Sequence, residues 1–408
     1  MFWKNICISI LLSVMFVLSV FAQKKDVIDP VLKPKPAVVK AINSLGDNSS
    51  CILKDVTIIE ELGDFAKGWH KMKTTGPCGR DFTIKMAWME DRKRAFFCGA
   101  NHGSPHRFND AWEYDLPSNT WVLLYVPDYN DRGKVGEYDK KVLVLKDGWL
   151  RTKKGGPAHP AHTWWGLTYD PKLKGAVWYC AWPGYRLQAK LDAIGKTKAD
   201  LYKGPPIWVF YPYEKKWEPM PTAKPWPRNK FGASLEYIPE FGGALWQYGT
   251  ESWLLNSQKK TWKRFTGGKA GLPIETLVCY DNQRRLMIAH CGPKKNKKEC
   301  RTWHMSLAKG KPGSWELVVD KLDLPNGHDA RSFMYYDPVG KAALLYERAT
   351  KLIWSYDPVK KEWTKLAPKG PEPPFGKKER VVAYMDTARN VFVAIGYGQV
   401  WCYRYKKK

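Results

Sequence analysis

Four of the eight histidines lie in two short segments of the chain. His102 and His106 precede Arg107 in the first segment, and His159 and His162 stand in the second. Imidazole titrates near neutral pH, so it is suited to general acid–base catalysis, and it is also a common metal ligand. The spacings His-x3-His and His-x2-His in loops are weakly specific. They therefore mark four candidate catalytic residues without assigning a metal or a cofactor.

Cationic and aromatic side chains accompany these histidines. Arginine forms paired hydrogen bonds with carboxylates and sulfates, and aromatic rings stack on the faces of sugars. The net charge of +27 favours polyanionic partners, although scattered lysines that only keep the protein soluble would give the same total. The residues predicted to bind a ligand are Arg80, Arg107, Trp164, Trp165, Arg228, Lys230, His328, Arg331 and Arg380.

A purely structural interpretation competes with this one. His102 and His162 would hydrogen-bond loop backbones, and Arg107 would pair with Asp110. Paired carboxylates for glycoside hydrolysis are not evident, because Glu275 and Glu379 begin predicted inner strands. The sequence contains no nucleophile elbow and no phosphate-binding glycine loop. It also contains no CxxC motif, and this disfavours a zinc site and covalent haem. We expect no cofactor.

The N-terminus has the pattern of a secretory signal. Lys4 precedes an apolar stretch from Ile6 to Phe21, and a small-residue cleavage site ends at Ala22. An uncleaved membrane anchor is the alternative, but the apolar run is short. Residues 1–22 thus predict an exported protein, whether periplasmic, cell-surface or secreted, with no membrane span after signal removal. Export makes nucleic acid an unlikely partner.

Export also affects the cysteines, because disulfides persist outside the cytosol. Eight of the nine cysteines follow the signal segment. Cys291 and Cys300 flank a lysine-rich stretch and are a candidate disulfide at the base of a loop. Residues 23–50 are rich in lysine and proline and predict a flexible leader, with the domain beginning near Cys51.

Tryptophan pairs recur along the rest of the chain. Four pairs are nine residues apart, and a fifth pair is twelve apart: Trp112 and Trp121, Trp208 and Trp217, Trp253 and Trp262, Trp354 and Trp363, then Trp303 and Trp315. Turn residues inside each pair predict a hairpin, and a second predicted hairpin precedes each one. Two hairpins make one four-stranded antiparallel sheet. The repeat therefore predicts an all-β propeller in which most tryptophans are core between blades.

Six blades are predicted, approximately at residues 81–127, 159–222, 228–268, 273–320, 327–368 and 377–405. The last blade lacks its fourth strand after Trp401 to Tyr405. The segment Lys67 to Pro77 resembles Lys361 to Pro371, so residues 65–73 with Trp69 would complete this blade and close the ring. A further blade in residues 51–66 would make the count seven.

With these features, residues 65–405 resemble the kelch-repeat superfamily. The segment Asn109 to Asp115, followed by Thr120 and Trp121, matches its repeat closely, whereas the usual double glycine is degraded, as at Cys98 and Gly99. Galactose oxidase has a similar propeller, but no arrangement like its copper site is evident here. The resemblance implies that loops between second and third strands share one face with the connections between blades.

On that face the two histidine segments would be neighbours in a cationic mouth. The leading hypothesis is an exported, non-catalytic propeller that binds an anionic glycan or a surface protein. A polysaccharide lyase for uronate or sulfated polymers is an alternative, with the four histidines moving the proton and Arg107 binding the carboxylate. A scaffold in a cell-surface assembly is another.

Overall fold

The computed structural model describes residues 32–59, 76–77, 80, 82–100, 107–130, 135–180, 186–249, 251–265, 272–273, 276–292, 300–308, 313–321, 323–325, 332–376 and 379–408. Within them the chain forms six antiparallel sheets arranged as the blades of a propeller. Strands A to D of each blade run outward from the central channel. The inner strands of successive blades contact one another around a closed ring.

The first three blades follow one another along the chain. Blade 1 contains β3 (Ala87–Met89), β4 (Arg94–Cys98), β5 (Ala111–Asp115) and β6 (Thr120–Tyr125). Blade 2 contains β9 (Leu167–Asp170), β10 (Gly175–Tyr179), β11 (Ile207–Tyr211) and β12 (Lys216–Pro219). Blade 3 contains β13 (Ser234–Ile238), β14 (Gly243–Tyr248), β15 (Glu251–Asn256) and β16 (Thr261–Phe265).

The last three blades complete the ring. Blade 4 contains β17 (Leu277–Asp281), β18 (Leu286–Cys291), β19 (Cys300–Ser306) and β20 (Glu316–Lys321). Blade 5 contains β21 (Ser332–Asp337), β22 (Ala342–Glu347), β23 (Leu352–Asp357) and β24 (Glu362–Leu366). Blade 6 contains β25 (Val382–Asp386), β26 (Val391–Ile395), β27 (Val400–Arg404) and, as its strand D, β1 (Ser49–Leu53). The all-β, six-bladed prediction is confirmed, and the ring is closed by an N-terminal strand.

The strand that closes the ring differs from the predicted one. β1 pairs antiparallel with β27, with Leu53 opposite Val400. The predicted strand at residues 65–73, including Trp69, lies outside the described residues. Residues 36–50 are not a flexible leader, because helix α1 (Pro36–Asn43) buries Val38 and Ile42 in the core before β1 begins. The apolar i, i+4 spacing of those two residues outweighs the local lysine and proline content.

An insertion packs on blades 1 and 2. It contains helix α2 (Glu137–Val142), the hairpin of β7 (Leu143–Lys146) and β8 (Trp149–Thr152), helix α3 (Leu187–Ala193) and the 3₁₀ turn Lys198–Asp200. Its small core joins Tyr129, Leu150 and Leu191. Elsewhere β2 (Thr57–Ile59) adds a parallel fifth strand beside β6, and Pro239–Phe241 forms a second 3₁₀ turn. No helix in the described ranges is long and apolar enough to span a membrane.

The hairpins between strands A and B have a repeated local cause. Asp170, Asp281 and Asp337 end their strands A, and each carboxylate accepts backbone N–H groups two and three residues further on. The last residue of each of the six hairpins has a positive φ of 50 to 60°: Lys93, Lys174, Gly242, Arg285, Lys341 and Asn390. These turns fix where each inner strand ends, and so they shape one mouth of the channel.

Candidate functional site

A cavity with a volume of about 530 Å³ lies at the A–B hairpin end of the central channel. An aromatic residue one position before the end of strand A lines it in five successive blades: Trp88, Tyr169, Tyr237, Tyr280 and Tyr336. In blade 6 the equivalent residue is Met385. The register of the inner strands therefore places a ring of aromatic side chains around one mouth.

An ion pair crosses the channel at the base of this cavity. Lys85 precedes the inner strand of blade 1, and Glu236 lies in the inner strand of blade 3. The Lys85 Nζ lies 2.6 Å from Glu236 Oε1 and also donates a hydrogen bond to the Leu235 carbonyl at 2.6 Å. Burial raises the pKa of the Glu236 carboxyl, and the neighbouring Lys85 ammonium opposes that shift. The cavity thus contains a buried donor, Lys85, and a half-buried acceptor, Glu236, side by side.

Phenols and a thiol complete the base of the cavity. The Tyr335 hydroxyl donates a hydrogen bond to the Ala383 carbonyl at 2.5 Å, and Cys279 occupies the register position equivalent to Glu236. Burial raises the pKa of both the Tyr335 phenol and the Cys279 thiol well above their ordinary values. Both groups are therefore protonated at neutral pH.

Neighbouring side chains orient the phenols of the ring. The Tyr169 hydroxyl donates to Asp91 Oδ2 at 2.8 Å, and Tyr336 accepts from Arg284 Nη1 at 3.3 Å. Burial, with a smaller effect of the Asp170 charge, raises the pKa of Tyr237 to about 12. Neutral phenols in fixed orientations can present apolar faces and hydrogen-bonding hydroxyls to a ligand.

The sequence contains a signal for this ring. Each predicted A–B hairpin begins at or next to an aromatic residue, which by itself indicates only a strand. Their shared position, one residue before the strand end, becomes informative only when the ring of inner strands brings five blades together.

Two of the four described arginines among the predicted ligand-binding residues, Arg80 and Arg107, are buried. Arg80 is 2 % exposed, and its guanidinium donates to Asp110 Oδ2 and to the Gly99 carbonyl, both at 2.5 Å. Asp110 also accepts the Trp112 indole N–H at 2.6 Å. Asp110 therefore pairs with Arg80. The purely structural interpretation of the sequence predicts Arg107 as its partner. Arg107 is also 2 % exposed.

The two described candidate histidines contact different parts of the molecule. His159 is buried, and its Nδ1 lies 2.9 Å from Lys190 Nζ on α3. Because an ammonium group only donates, His159 accepts at Nδ1 and supports the insertion. His162 is half-buried beside Phe82 and Trp164, with ring centroids 5.3 and 5.9 Å away. His102 and His106, together with the predicted ligand-binding residues His328 and Arg331, lie outside the described residues.

The remaining predicted residues divide between core and surface. Trp165 is 2 % exposed and packs in the core, while Trp164 stacks on Phe82 at 4.6 Å. Arg228 is exposed, and Lys230 and Arg380 are half-buried. Glu379 accepts backbone N–H groups of Gly376 and Tyr397. Glu275 and the signal segment, residues 1–22, lie outside the described residues.

The predicted disulfide between Cys291 and Cys300 is not formed. Arg301 lies opposite Cys291 in the ladder between β18 and β19. Cys291 and Cys300 are therefore one register position apart, which places their side chains on opposite faces of the sheet. Their thiols approach different carbonyls, those of Gly292 and Leu324.

The fold and the cavity together define the class as a six-bladed β-propeller with an aromatic channel mouth. The sequence matches no family model, and no curated protein shows significant similarity to it. Among solved structures, a gluconolactonase from Xanthomonas campestris superposes with a TM-score of 0.46 at 8% sequence identity. The match covers 80% of this chain and 86% of that one. This similarity says nothing about activity.

Proposed function

We propose that this chain is an exported, non-catalytic, kelch-like propeller that binds a glycan, with the end of the sugar chain seated in the aromatic cavity. The observation that carries the proposal is the ring of Trp88, Tyr169, Tyr237, Tyr280 and Tyr336 around one mouth of the channel. The proposal moves the predicted binding site to the opposite end of the channel. There, the five ring residues converge on one cavity, and three of them, Trp88, Tyr237 and Tyr280, are only half-buried.

The chemistry of the cavity suits a sugar. Pyranose rings present apolar C–H faces that pack on aromatic rings, and their hydroxyls pair with phenols and charged groups. Lys85 and Glu236 supply one donor and one acceptor at the base. A cavity of about 530 Å³ is within the usual range for small-molecule sites.

The rim supports a preference for acidic glycans. Five exposed basic side chains lie on the A–B hairpins around the cavity: Lys93, Lys172, Lys174, Arg285 and Lys341. Exposed acids on the same hairpins are fewer: Glu90, Asp91 and Glu240. The net charge of +27 acts in the same direction. We infer that the sugar end enters the cavity while carboxylates or sulfates further along the polymer contact the rim.

A binding screen tests this proposal. Quenching of tryptophan fluorescence, with Trp88 as the reporter inside the cavity, and calorimetry would be measured with neutral and acidic oligosaccharides at moderate salt. Replacing the Tyr237 ring, Tyr237→Ala, should weaken binding roughly tenfold, about 1.4 kcal/mol, because one stacking face is lost. The double variant Lys172→Glu with Lys341→Glu should weaken only the acidic ligands.

The matched control is Tyr397→Ala, an exposed tyrosine at the opposite end of the channel. It should bind as the unmodified protein does. Retention of no oligosaccharide, or equal losses in Tyr237→Ala and Tyr397→Ala, would overturn the proposal. A stable protein partner that survives Tyr237→Ala would instead support the scaffold alternative.

A lyase acting on an acidic polysaccharide is the second candidate. The observation that favours it is the Lys85–Glu236 pair near the phenol of Tyr335 in the cavity. Lysine neutralises a uronate carboxylate, and a carboxyl with a raised pKa can move the adjacent proton. Elimination gives an unsaturated product that absorbs in the near ultraviolet. The lyase proposal fails if no uronate polymer gives that absorbance, or if Glu236→Gln gives it equally.

A further inference from the structure

Two cysteines face each other where the ends of the chain meet. Cys51 lies in β1, the N-terminal strand that closes blade 6, and Cys402 lies in β27, six residues before the C-terminal Lys408. The ladder between these strands places Cys51 directly opposite Cys402. The strand pair that closes the propeller therefore carries a cross-strand cysteine pair.

The backbone geometry of this pair suits a disulfide. Directly opposite residues in an antiparallel ladder point to the same face of the sheet, with Cα atoms roughly 4.5 to 5.5 Å apart. Disulfides accept Cα separations of about 4.4 to 6.8 Å. The two thiols are near enough for each to shift the pKa of the other. Cys291 and Cys300, by contrast, lie on opposite faces of their sheet.

We propose that Cys51 and Cys402 form a disulfide under oxidising conditions and that this bond covalently closes the propeller. The inference rests on strand register and is independent of the proposed glycan site. It assigns a modification site to the closing strand pair and predicts that the redox state of the surroundings sets the stability of the ring.

The reaction is a thiol–disulfide exchange with a small disulfide such as oxidised glutathione. Cys51 is half-buried, and the neighbouring Cys402 thiol and the positive charge of Arg404 both lower the pKa of the Cys51 thiol. The Cys51 thiolate attacks one glutathione sulfur and releases one glutathione thiolate. Cys402 then loses its proton and attacks Cys51 Sγ, which releases the second glutathione. Two protein thiols are oxidised, and one glutathione disulfide is reduced to two thiols.

The position of this bond predicts a large effect on the stability of the propeller. The bond would enclose nearly the whole propeller in one covalent loop, and disulfides that close longer loops restrict the unfolded chain more. It would also hold β1 on the otherwise open edge of β27. Separation of the two ends, which would open the ring at blade 6, would then require reduction.

The full chain would be incubated with oxidised glutathione and digested with trypsin without reductant. Mass spectrometry should find the Cys51 peptide linked to the Cys402 peptide, two hydrogen masses below the sum of the free peptides. The midpoint of thermal unfolding should rise by roughly 5 °C over the reduced protein. The variants Cys51→Ser and Cys402→Ser should lose the linked peptide and the rise, whereas Cys300→Ser should keep both.

Cys51→Ser is the decisive variant, because Cys51 is half-buried and serine is close to isosteric, whereas Cys402 is fully buried. The proposal is overturned if Cys51 ends as a free thiol, as a stable mixed disulfide with glutathione, or linked to any cysteine other than Cys402. It is also overturned if Cys51→Ser shows the same thermal shift as the unmodified protein under oxidant.

Discussion

His290 is a fully buried histidine whose two ring nitrogens are both hydrogen-bonded. The Pro325 carbonyl only accepts, so Nε2, 2.8 Å away, carries the proton of the neutral imidazole. Nδ1 then accepts from the Thr302 hydroxyl at 2.9 Å, and Thr302 Oγ1 accepts the Trp363 indole N–H, also at 2.9 Å. This relay requires the neutral imidazole, and burial lowers the pKa of His290 to about 4.

The lowered pKa predicts destabilisation by acid. Below pH 6.5 the unfolded chain takes up a proton at this histidine while the folded chain does not, so falling pH favours unfolding. The stabilising contribution is complete above pH 6.5 and is lost progressively as the pH falls towards 4. His290 alone should account for about 2 kcal/mol of the folding free energy lost between pH 7.5 and 5.

Denaturant unfolding at these two pH values measures that loss. His290→Gln should lower stability at pH 7.5 and should lose about 2 kcal/mol less than the unmodified protein on acidification. An identical loss in both proteins would show that His290 does not titrate on unfolding in this range.

The regular spacing of the tryptophans is the pattern on which most of the fold prediction rests. In four blades a tryptophan in strand D or directly before it donates its indole N–H to the preceding blade or to the connection that leaves that blade. The pairs are Trp217 with the Asn109 carbonyl, Trp262 with Thr222 Oγ1, Trp315 with Gln247 Oε1 and Trp363 with Thr302 Oγ1. The tryptophans therefore join blades by hydrogen bonds as well as by apolar packing.

A matched pair of substitutions separates the hydrogen bond from the packing. Trp363→Phe removes the bond to Thr302, whereas Trp354→Phe makes the same chemical change in the same blade. The Trp354 indole N–H has no hydrogen-bond partner among the described residues. Trp363→Phe should cost about 1 kcal/mol more than Trp354→Phe in denaturant unfolding. Equal costs would mean that the inter-blade bonds add nothing beyond packing.

The sequence predicted the elements better than the site, for a physical reason. Hairpins and tryptophan pairs are local patterns, so their period is visible along the chain. The cavity depends on the closure of six inner strands, and the Lys85–Glu236 pair joins residues 151 positions apart. Arg80 and His159 show the opposite difficulty. The sequence marks both as candidate site residues, yet both are buried and have structural roles, because a polar residue in a loop can also be a buried structural group. The hairpin positions 93, 174 and 341 have positive φ, which favours glycine, but each is a lysine. The sequence therefore does not mark these turns by glycine.

The whole propeller is closed by the pairing of β1, near one end of the chain, with β27, near the other. β27 is buried along most of its length, with Val400, Trp401 and Tyr403 fully enclosed. β1 covers its outer edge, and α1 continues the same packing before β1 begins. Without these elements, blade 6 would present an unpaired apolar edge, which is a template for association with other chains.

Truncation tests how much stability this closure supplies. A chain starting at residue 55 lacks α1 and β1, including the buried Val38, Ile42, Leu45 and Leu53, whereas a control chain starting at residue 32 keeps them. Each such side chain contributes roughly 1.5 to 3 kcal/mol, and a whole domain is stable by only about 5 to 15 kcal/mol. The shorter chain should therefore unfold more than roughly 10 °C below the control or associate through β27, as seen by calorimetry and size-exclusion chromatography. If both chains melt together as monomers, β1 is dispensable, and the ring is held by packing between the inner strands alone.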